Sequence, residues 1–266
     1  MDMPRNTFKQ ALAKRQTQIG IFLGLSSPIG AEILATCGYD FLMIDAEHGL
    51  NNVSTVQTQL QAMAPYPVQA IVRPANHDPA LIKQLLGTGV QTLLVPMVEN
   101  AEQARALVAA MHYPPRGIRG VGTGLERGAR WNAIGSYFAQ ASEEMCLIVQ
   151  IESRQALENL DEIAAVDGVD GVFIGPSDLA ASLGHLGKTG HPDVQAAIAD
   201  ALKRIAASGK AAGIFCADAA QASSYQASGA CFLAMGADTG LLRSAAIKLL
   251  ETVRPKTGQS NVSAGY

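Results

Sequence analysis

Short runs of consecutive apolar residues recur along this chain, separated by longer segments whose apolar positions return every three or four residues. The runs are "IGIFLGL" (19–25), "DFLMID" (40–45), "VQAIVR" (68–73), "QTLLVP" (91–96), "MCLIVQIE" (145–152), "GVFIG" (171–175), "AAGIFC" (211–216) and "CFLAMG" (231–236). Each is too short for a buried helix and rich in Val, Ile, Leu and Phe, so each reads as a strand. None alternates cleanly with polar residues, and near-continuous apolar strands belong to parallel sheets covered on both faces. Between them, "PALIKQLLGTG", "NAEQARALVAAM", "SRQALENLDEIAAV", "PDVQAAIADALKRIAASG" and "DTGLLRSAAIKLLETV" have helical spacing. Asn100 and Asp218 stand at N-cap positions, and "GTGV" and "ASGKA" end helices in glycine.

Eight βα units in one chain of this length predict a single-domain (β/α)8 barrel over residues 1–254, with a doubly wound sheet as the alternative. The polar, Gly- and Ser-rich residues 255–266 read as a flexible tail. A barrel places its chemistry just after the C-terminal ends of its strands. Asp45, Glu47 and His48 follow the second strand, Arg73 ends the third, and Gln150 and Glu152 end the fifth. Gly175, Pro176, Ser177 and Asp178 follow the sixth, and Asp238 follows the eighth. These residues converge on one rim.

Composition narrows the function. Only 16% of residues are charged, against about 25% for an average soluble protein, so parts of the surface are expected to be covered by other subunits. A net charge of −3 without basic clusters argues against nucleic acid. The N-terminus lacks an apolar leader and no stretch reaches 18 apolar residues, so a soluble, cytoplasmic protein away from membranes is expected. Cys37, Cys146, Cys216 and Cys231 have no CxxC spacing and read as reduced thiols.

Each rim residue has an ordinary reading beside a functional one. Glu152 could be a charge at a helix N-terminus. With Asp178 two strand-ends away, the two carboxylates would repel unless a cation lay between them, and oxygen ligands suit Mg²⁺ or Mn²⁺. Arg73 could pair with any acid, or bind a carboxylate or developing oxyanion. His48 lies three residues after Asp45, close enough for that carboxylate to orient its ring, and the pair suggests a general base. Glu47 ranks below both. Lys83, Lys203 and Lys248 fall within helices, Lys210 precedes the seventh strand and Lys188 sits in a loop, so no rim lysine is available for a Schiff base. The Gly-rich stretch 117–132 lacks GxGxxG and follows no strand directly; it reads as a mobile loop near the rim.

In unbroken order, "DAEHG", "VRP", "IKQLL", "TLLVPMV", "YPPRGIRGVG", "ARWN", "VQIES" and "VDGVFIGPSDL" resemble the HpcH/HpaI family of metal-dependent aldolases. The resemblance implies a (β/α)8 barrel in a homohexamer whose last helix packs on a neighbour. It implies a divalent metal cation (Mg²⁺, Mn²⁺ or Co²⁺) held by Glu152 and Asp178 and chelated by a 2-oxo acid such as pyruvate. Arg73 would steady the enolate oxygen, Gln150 would help hold the substrate, and the turn Gly175–Pro176–Ser177 would receive its carboxylate. His48 would be the base, with Asp45 beside it. The implied reaction is reversible cleavage of 4-hydroxy-2-oxo acids, such as 4-hydroxy-2-oxoheptanedioate, to pyruvate and an aldehyde such as succinate semialdehyde. A malyl-CoA-type lyase and a non-catalytic 2-oxo-acid-binding protein are the alternatives. The family commonly carries an acid after "KQLL" that reaches a neighbouring subunit's histidine; this chain has Gly87 there.

Overall fold

The computed structural model describes residues 1–254; the expected tail at 255–266 lies outside the described residues. All eight apolar runs are strands: β1 (Gln18–Leu23), β2 (Phe41–Asp45), β3 (Gln69–Arg73), β4 (Thr92–Val95), β5 (Cys146–Ile151), β6 (Gly171–Ile174), β7 (Ala211–Phe215) and β8 (Ala230–Ala237). They pair in parallel and in chain order, and β8 closes on β1. The barrel is therefore present, and the doubly wound alternative is excluded.

Among the described residues, twelve α-helices accompany the strands: α1 (Thr7–Ala13), α2 (Pro28–Ala35), α3 (Val53–Met63), α4 (Pro79–Gly87), α5 (Ala101–Met111), α6 (Tyr137–Glu144), α7 (Arg154–Glu158), α8 (Leu160–Ala164), α9 (Pro176–Ser182), α10 (Pro192–Ala207), α11 (Ala219–Ala227) and α12 (Asp238–Glu251). Asn100 and Asp218 cap α5 and α11 by accepting from Gln103 N–H and Ala220 N–H. Gly89 and Gly209, which follow α4 and α10, take φ of +96° and +88°, a region glycine enters without a Cβ penalty. The single helix expected over "SRQALENLDEIAAV" is divided at Asn159, whose side chain turns away to donate to the Glu99 carbonyl at 2.7 Å.

Two apolar layers hold the barrel. Leu42, Ile44, Val72, Leu147, Val149, Val172 and Ile174 face outward and pack under the helices. Phe41, Met43, Ile71, Ile148, Phe173 and Phe232 face inward and fill the barrel. The N-terminal mouth is stoppered by α1, whose Phe8 meets Phe41 and Phe232 edge-on at 5.3 and 5.9 Å. The inward parity carries polar residues to the other mouth. Counting by two from Phe41 and Met43 reaches Asp45; from Ile71 it reaches Arg73; from Ile148 it reaches Gln150 and Glu152; from Phe173 it reaches Gly175. The row that fills the barrel ends, at its C-terminal mouth, in polar groups.

The stretch 117–132 is neither on the rim nor loose. It packs at the opposite end, where α4 runs into β4. Arg127 donates to the carbonyls of Thr88 (2.9 Å) and Leu60 (3.4 Å). Arg119 is buried, pairs with Glu126 at 3.3 Å, donates to the Tyr137 hydroxyl at 3.1 Å and lies over the Tyr113 ring. A buried guanidinium is tolerated only when paired, and these contacts tie Arg119 to Glu126 and Tyr137, although its Nε finds no acceptor among the described residues. Gly87 sits at this same end, where a Cβ would lie 3.2 Å from Glu126 Cγ. Within one chain Gly87 and His48 are therefore on opposite faces of the barrel.

Helix α12 is unlike the others. Only its first residue, Asp238, is buried, and Leu241, Leu242, Ile247, Leu249 and Leu250 are exposed. Among the described residues, no helix is long and apolar enough to cross a membrane.

Candidate active site

A cavity of about 480 Å³ opens at the C-terminal mouth. Its lining includes Asp45, His48, Arg73, Gln150, Glu152, Gly175, Pro176, Ser177 and Asp178, which come from the ends of four strands. Among the described residues no lysine lines it, as the positions of the lysines predict. Three aromatic rings that sequence patterning does not single out, Phe22, Phe173 and Phe215, form its apolar floor. In the sequence nothing separates them from the other apolar strand residues.

Arg73 is the hub. Asp45 and Arg73 are register partners in the parallel β2–β3 pair. The guanidinium donates through Nε to Asp45 Oδ1 at 2.8 Å and through Nη2 to Oδ2 at 2.7 Å. Nη1 lies 3.0 Å from Glu47 Oε2, and the guanidinium carbon stands 4.8 Å from the centroid of the Phe22 ring. Burial alone would discourage the charge, but Asp45, Glu47 and Glu152 more than offset it and raise the Arg73 pKa.

Asp45 therefore does not orient the His48 ring, as their spacing suggested. Its remaining contacts are with the backbone N–H groups of Glu47 and His48. The reason is geometric: the in-register guanidinium takes both carboxylate oxygens in a planar fork. The carboxylate near the imidazole is that of Glu47, with Oε2 3.8 Å from His48 Nε2. Glu47 thus stands between Arg73 and His48, a more central place than its rank in the sequence implied. Burial, followed by repulsion from Asp45 and Asp178 against the opposing pull of Arg73, leaves its pKa raised.

Glu152 is 2% exposed. Oε1 accepts from Met97 N–H at 2.8 Å and Oε2 from the Gln150 side chain. Burial is the main cause that pushes its pKa up to about 7, with Glu47 and Asp178 adding repulsion. Asp178 reaches the cavity from the first turn of α9, which Gly175 and Pro176 start immediately after β6. A Cβ on Gly175 would lie 2.5 Å from Glu152 Oε2 and 3.2 Å from Gln150 Nε2, so only glycine permits this close approach. Among the described residues, the buried Gln150 Oε1 finds no hydrogen-bond donor.

These features fit a divalent cation. Two carboxylates whose charges oppose one another offer hard oxygen ligands, and two protein ligands leave positions for water and substrate. Asp238, expected on the same rim, does other work: it accepts from the N–H groups of Gly24 (2.8 Å), Leu25 (3.1 Å) and Thr239 (2.7 Å) and ties β1 to α12.

Known proteins resemble this chain over nearly its whole length. The description of the HpcH/HpaI aldolase/citrate lyase family matches residues 18–245. A hydroxypyruvate/pyruvate aldolase of Deinococcus radiodurans is 59% identical over 257 residues, covering 97% of this chain and 93% of its own. A 4-hydroxy-2-oxo-heptane-1,7-dioate aldolase of Klebsiella pneumoniae subsp. pneumoniae is 58% identical over 237 residues, 89% of each chain. The crystal structure of an HpcH/HpaI aldolase/citrate lyase family protein from Burkholderia cenocepacia J2315 superposes with a TM-score of 0.91 at 39% identity, covering 94% of this chain and 99% of that one.

Proposed function

The chain belongs to the HpcH/HpaI aldolase/citrate lyase family, and on that premise we propose that it cleaves 4-hydroxy-2-oxo acids to pyruvate and an aldehyde by a metal-dependent, class II route. It is an aldolase, a carbon–carbon lyase. The observation that carries the proposed chemistry is the cavity itself, where Glu152 and Asp178 meet Arg73 and His48 and no described lysine enters.

Glu152 and Asp178 hold the divalent cation, with Mg²⁺, Mn²⁺ and Co²⁺ as candidates. When bound, it supplies a Lewis acid that polarises the 2-oxo group. The backbone N–H groups of the turn around Ser177, at the start of α9, receive the substrate carboxylate. Gln150, which lines the cavity, helps hold the substrate. His48, with 60% of its side chain exposed, takes the proton of the 4-hydroxyl. The C3–C4 bond then breaks, its electron pair passes into the enolate of pyruvate, and the 4-carbon leaves as the aldehyde. The Arg73 guanidinium, held in place by Asp45 and Glu47, faces the negative charge that develops on the enolate oxygen. A proton delivered to C3 completes pyruvate, and the reverse sequence is aldol addition.

For substrates, 4-hydroxy-2-oxoheptanedioate, giving succinate semialdehyde, is the first to test, with pyruvate and hydroxypyruvate as donors in the reverse direction. The exposed leucines of α12 support a homo-oligomer, a hexamer by the family resemblance, in which this helix packs on a neighbour. The place of work is the cytoplasm.

The test is pyruvate release from a panel of 4-hydroxy-2-oxo acids, before and after chelation. Activity that vanishes with chelator and returns with Mg²⁺, Mn²⁺ or Co²⁺ is expected. Full activity in excess chelator, or a borohydride-trapped lysine adduct, would overturn the mechanism.

A further inference from the structure

The connection between α9 and α10 carries "GHLGKTGHPD". It folds through two successive turns: Lys188 N–H donates to the His185 carbonyl at 2.9 Å, and His191 N–H donates to the Lys188 carbonyl at 2.9 Å. The turns bring together two histidines six residues apart. Their rings stack, with centroids 3.6 Å apart and planes at 16°. Both present a nitrogen to one oxygen of Asp193: His185 Nε2 lies 3.5 Å and His191 Nδ1 3.7 Å from Oδ2. The three donor atoms lie within 4.8 Å of one another.

We propose that His185, His191 and Asp193 form a second cation site, selective for a borderline transition metal such as Zn²⁺. Two imidazoles and a carboxylate, with water in the fourth position, make a tetrahedral donor set. This differs in kind from the all-oxygen pair Glu152 and Asp178, which suits harder ions. Bonds of about 2.0–2.2 Å put tetrahedral donors roughly 3.3 Å apart. Each nitrogen-to-oxygen gap therefore closes by a few tenths of an ångström, with a larger turn of the rings toward a common point. The side chains are free to make it, because His185 and His191 retain 24% and 34% exposure and Asp193 retains 77%. His191 Nδ1 accepts only a long bond, 3.3 Å, from Asp193 N–H as the cap of α10. Metal binding replaces that bond.

The site lies on the catalytic face, because α10 runs back along the barrel and begins beside the strand C-termini. Through α9 it is joined to Asp178. A bound ion would cross-link the end of α9 to the start of α10 and so stiffen the segment behind that residue.

The experiment is calorimetric titration of Zn²⁺ into the full chain carrying Glu152→Gln and Asp178→Asn, which removes the other carboxylate pair. Saturable binding of about one ion per chain is expected from this tetrahedral set. His185→Ala, or Asp193→Asn, should abolish it. His191→Asn removes the imidazole while keeping a capping side chain, so loss of binding with an unchanged melting temperature separates ligation from helix stability. Co²⁺ bound in place of Zn²⁺ should show the intense visible bands of a four-coordinate ion, absent in His185→Ala. In the otherwise unmodified chain, His185→Ala should leave Mg²⁺-supported pyruvate release within about twofold, since none of the three residues lines the cavity. Zn²⁺ binding that persists unchanged in both histidine variants, or no saturable binding before they are introduced, would overturn the proposal without touching the aldolase reading.

Discussion

Asp45 and Arg73 stand side by side in the register of β2 and β3 and are joined by two parallel hydrogen bonds of 2.8 and 2.7 Å at the barrel mouth. The guanidinium is thereby fixed in plane before substrate arrives, with Nη1 left to Glu47 and its face to the Phe22 ring. Preorganised charge of this kind contributes most where negative charge develops during reaction.

Replacing Arg73 with Lys keeps a charge but loses the fork. The kcat for pyruvate release should fall by about 10²- to 10³-fold, with little change in metal affinity. Asp45→Asn should move in the same direction by a smaller factor, because one of the two acceptor oxygens becomes a donor. Steady-state kinetics beside metal titrations would check both. A kcat for Arg73→Lys within about threefold of the parent would remove Arg73 from its role.

Glu152 predicts an unusual pH dependence for the metal-free protein. Its pKa is about 7 in the folded chain against 4.5 as the ordinary value. Between those values the folded protein holds a proton that the unfolded chain has released. This contribution to stability is full below about pH 4.5 and is lost as pH rises toward about 7. Melting temperatures in chelator should therefore carry a component that falls across this window. Glu152→Gln should flatten it, and Mg²⁺ should raise the melting temperature more at the alkaline end. A slope identical in parent and Glu152→Gln would show that Glu152 does not titrate there.

At Gly175 a methyl group is expected to be disruptive out of proportion to its size. It would press on Glu152 Oε2 from 2.5 Å and on Gln150 Nε2 from 3.2 Å. Gly175→Ala should weaken metal binding and lower kcat together; backbone φ at this position is −95° and suits alanine, so any fall of the melting temperature in chelator comes from the crowding of Glu152 and Gln150. Calorimetric titration with Mn²⁺ would show it.

Gly87 is not an open position. An aspartate there would set a second carboxylate against Glu126, whose Cδ lies 3.5 Å from the added Cβ. Gly87→Asp should lower stability, within the range of about 0.5–3 kcal/mol common for destabilising substitutions. Glu126→Gln by itself loses the pairing with Arg119, but in that background Gly87→Asp should cost less than in the parent, and denaturant unfolding of the four proteins measures the coupling. Additive effects would mean that the two side chains do not meet.

Helix α12 turns its leucines to solvent in the single chain, as an interface helix does. Leu242→Glu with Leu249→Glu should reduce the assembly size seen by sedimentation velocity. An unchanged sedimentation coefficient would mean that α12 is not an interface.

Much of this protein is determined by local order in its sequence. Apolar runs bounded by Gly, Pro and capping residues specify eight strands and the helices between them, because burial on both faces and the satisfaction of helix ends are short-range demands. Parallel order and chain connectivity then leave a barrel, and polar residues at the strand ends mark its working mouth. What the sequence does not carry is partnership across the barrel. A continuously apolar strand does not reveal which alternate residues face inward, so Phe22, Phe173 and Phe215 are indistinguishable there from their outward neighbours. A spacing of three residues puts Asp45 near His48, yet strand register gives both its oxygens to Arg73 and leaves Glu47 beside the imidazole. The glycines of 117–132 suggest mobility in sequence, whereas Arg127 ties the stretch to the carbonyls of Thr88 and Leu60, from segments far away in the chain. In each case the deciding interaction joins residues that only the closed sheet brings together, and their pairing is set by register and packing rather than by neighbours in the chain.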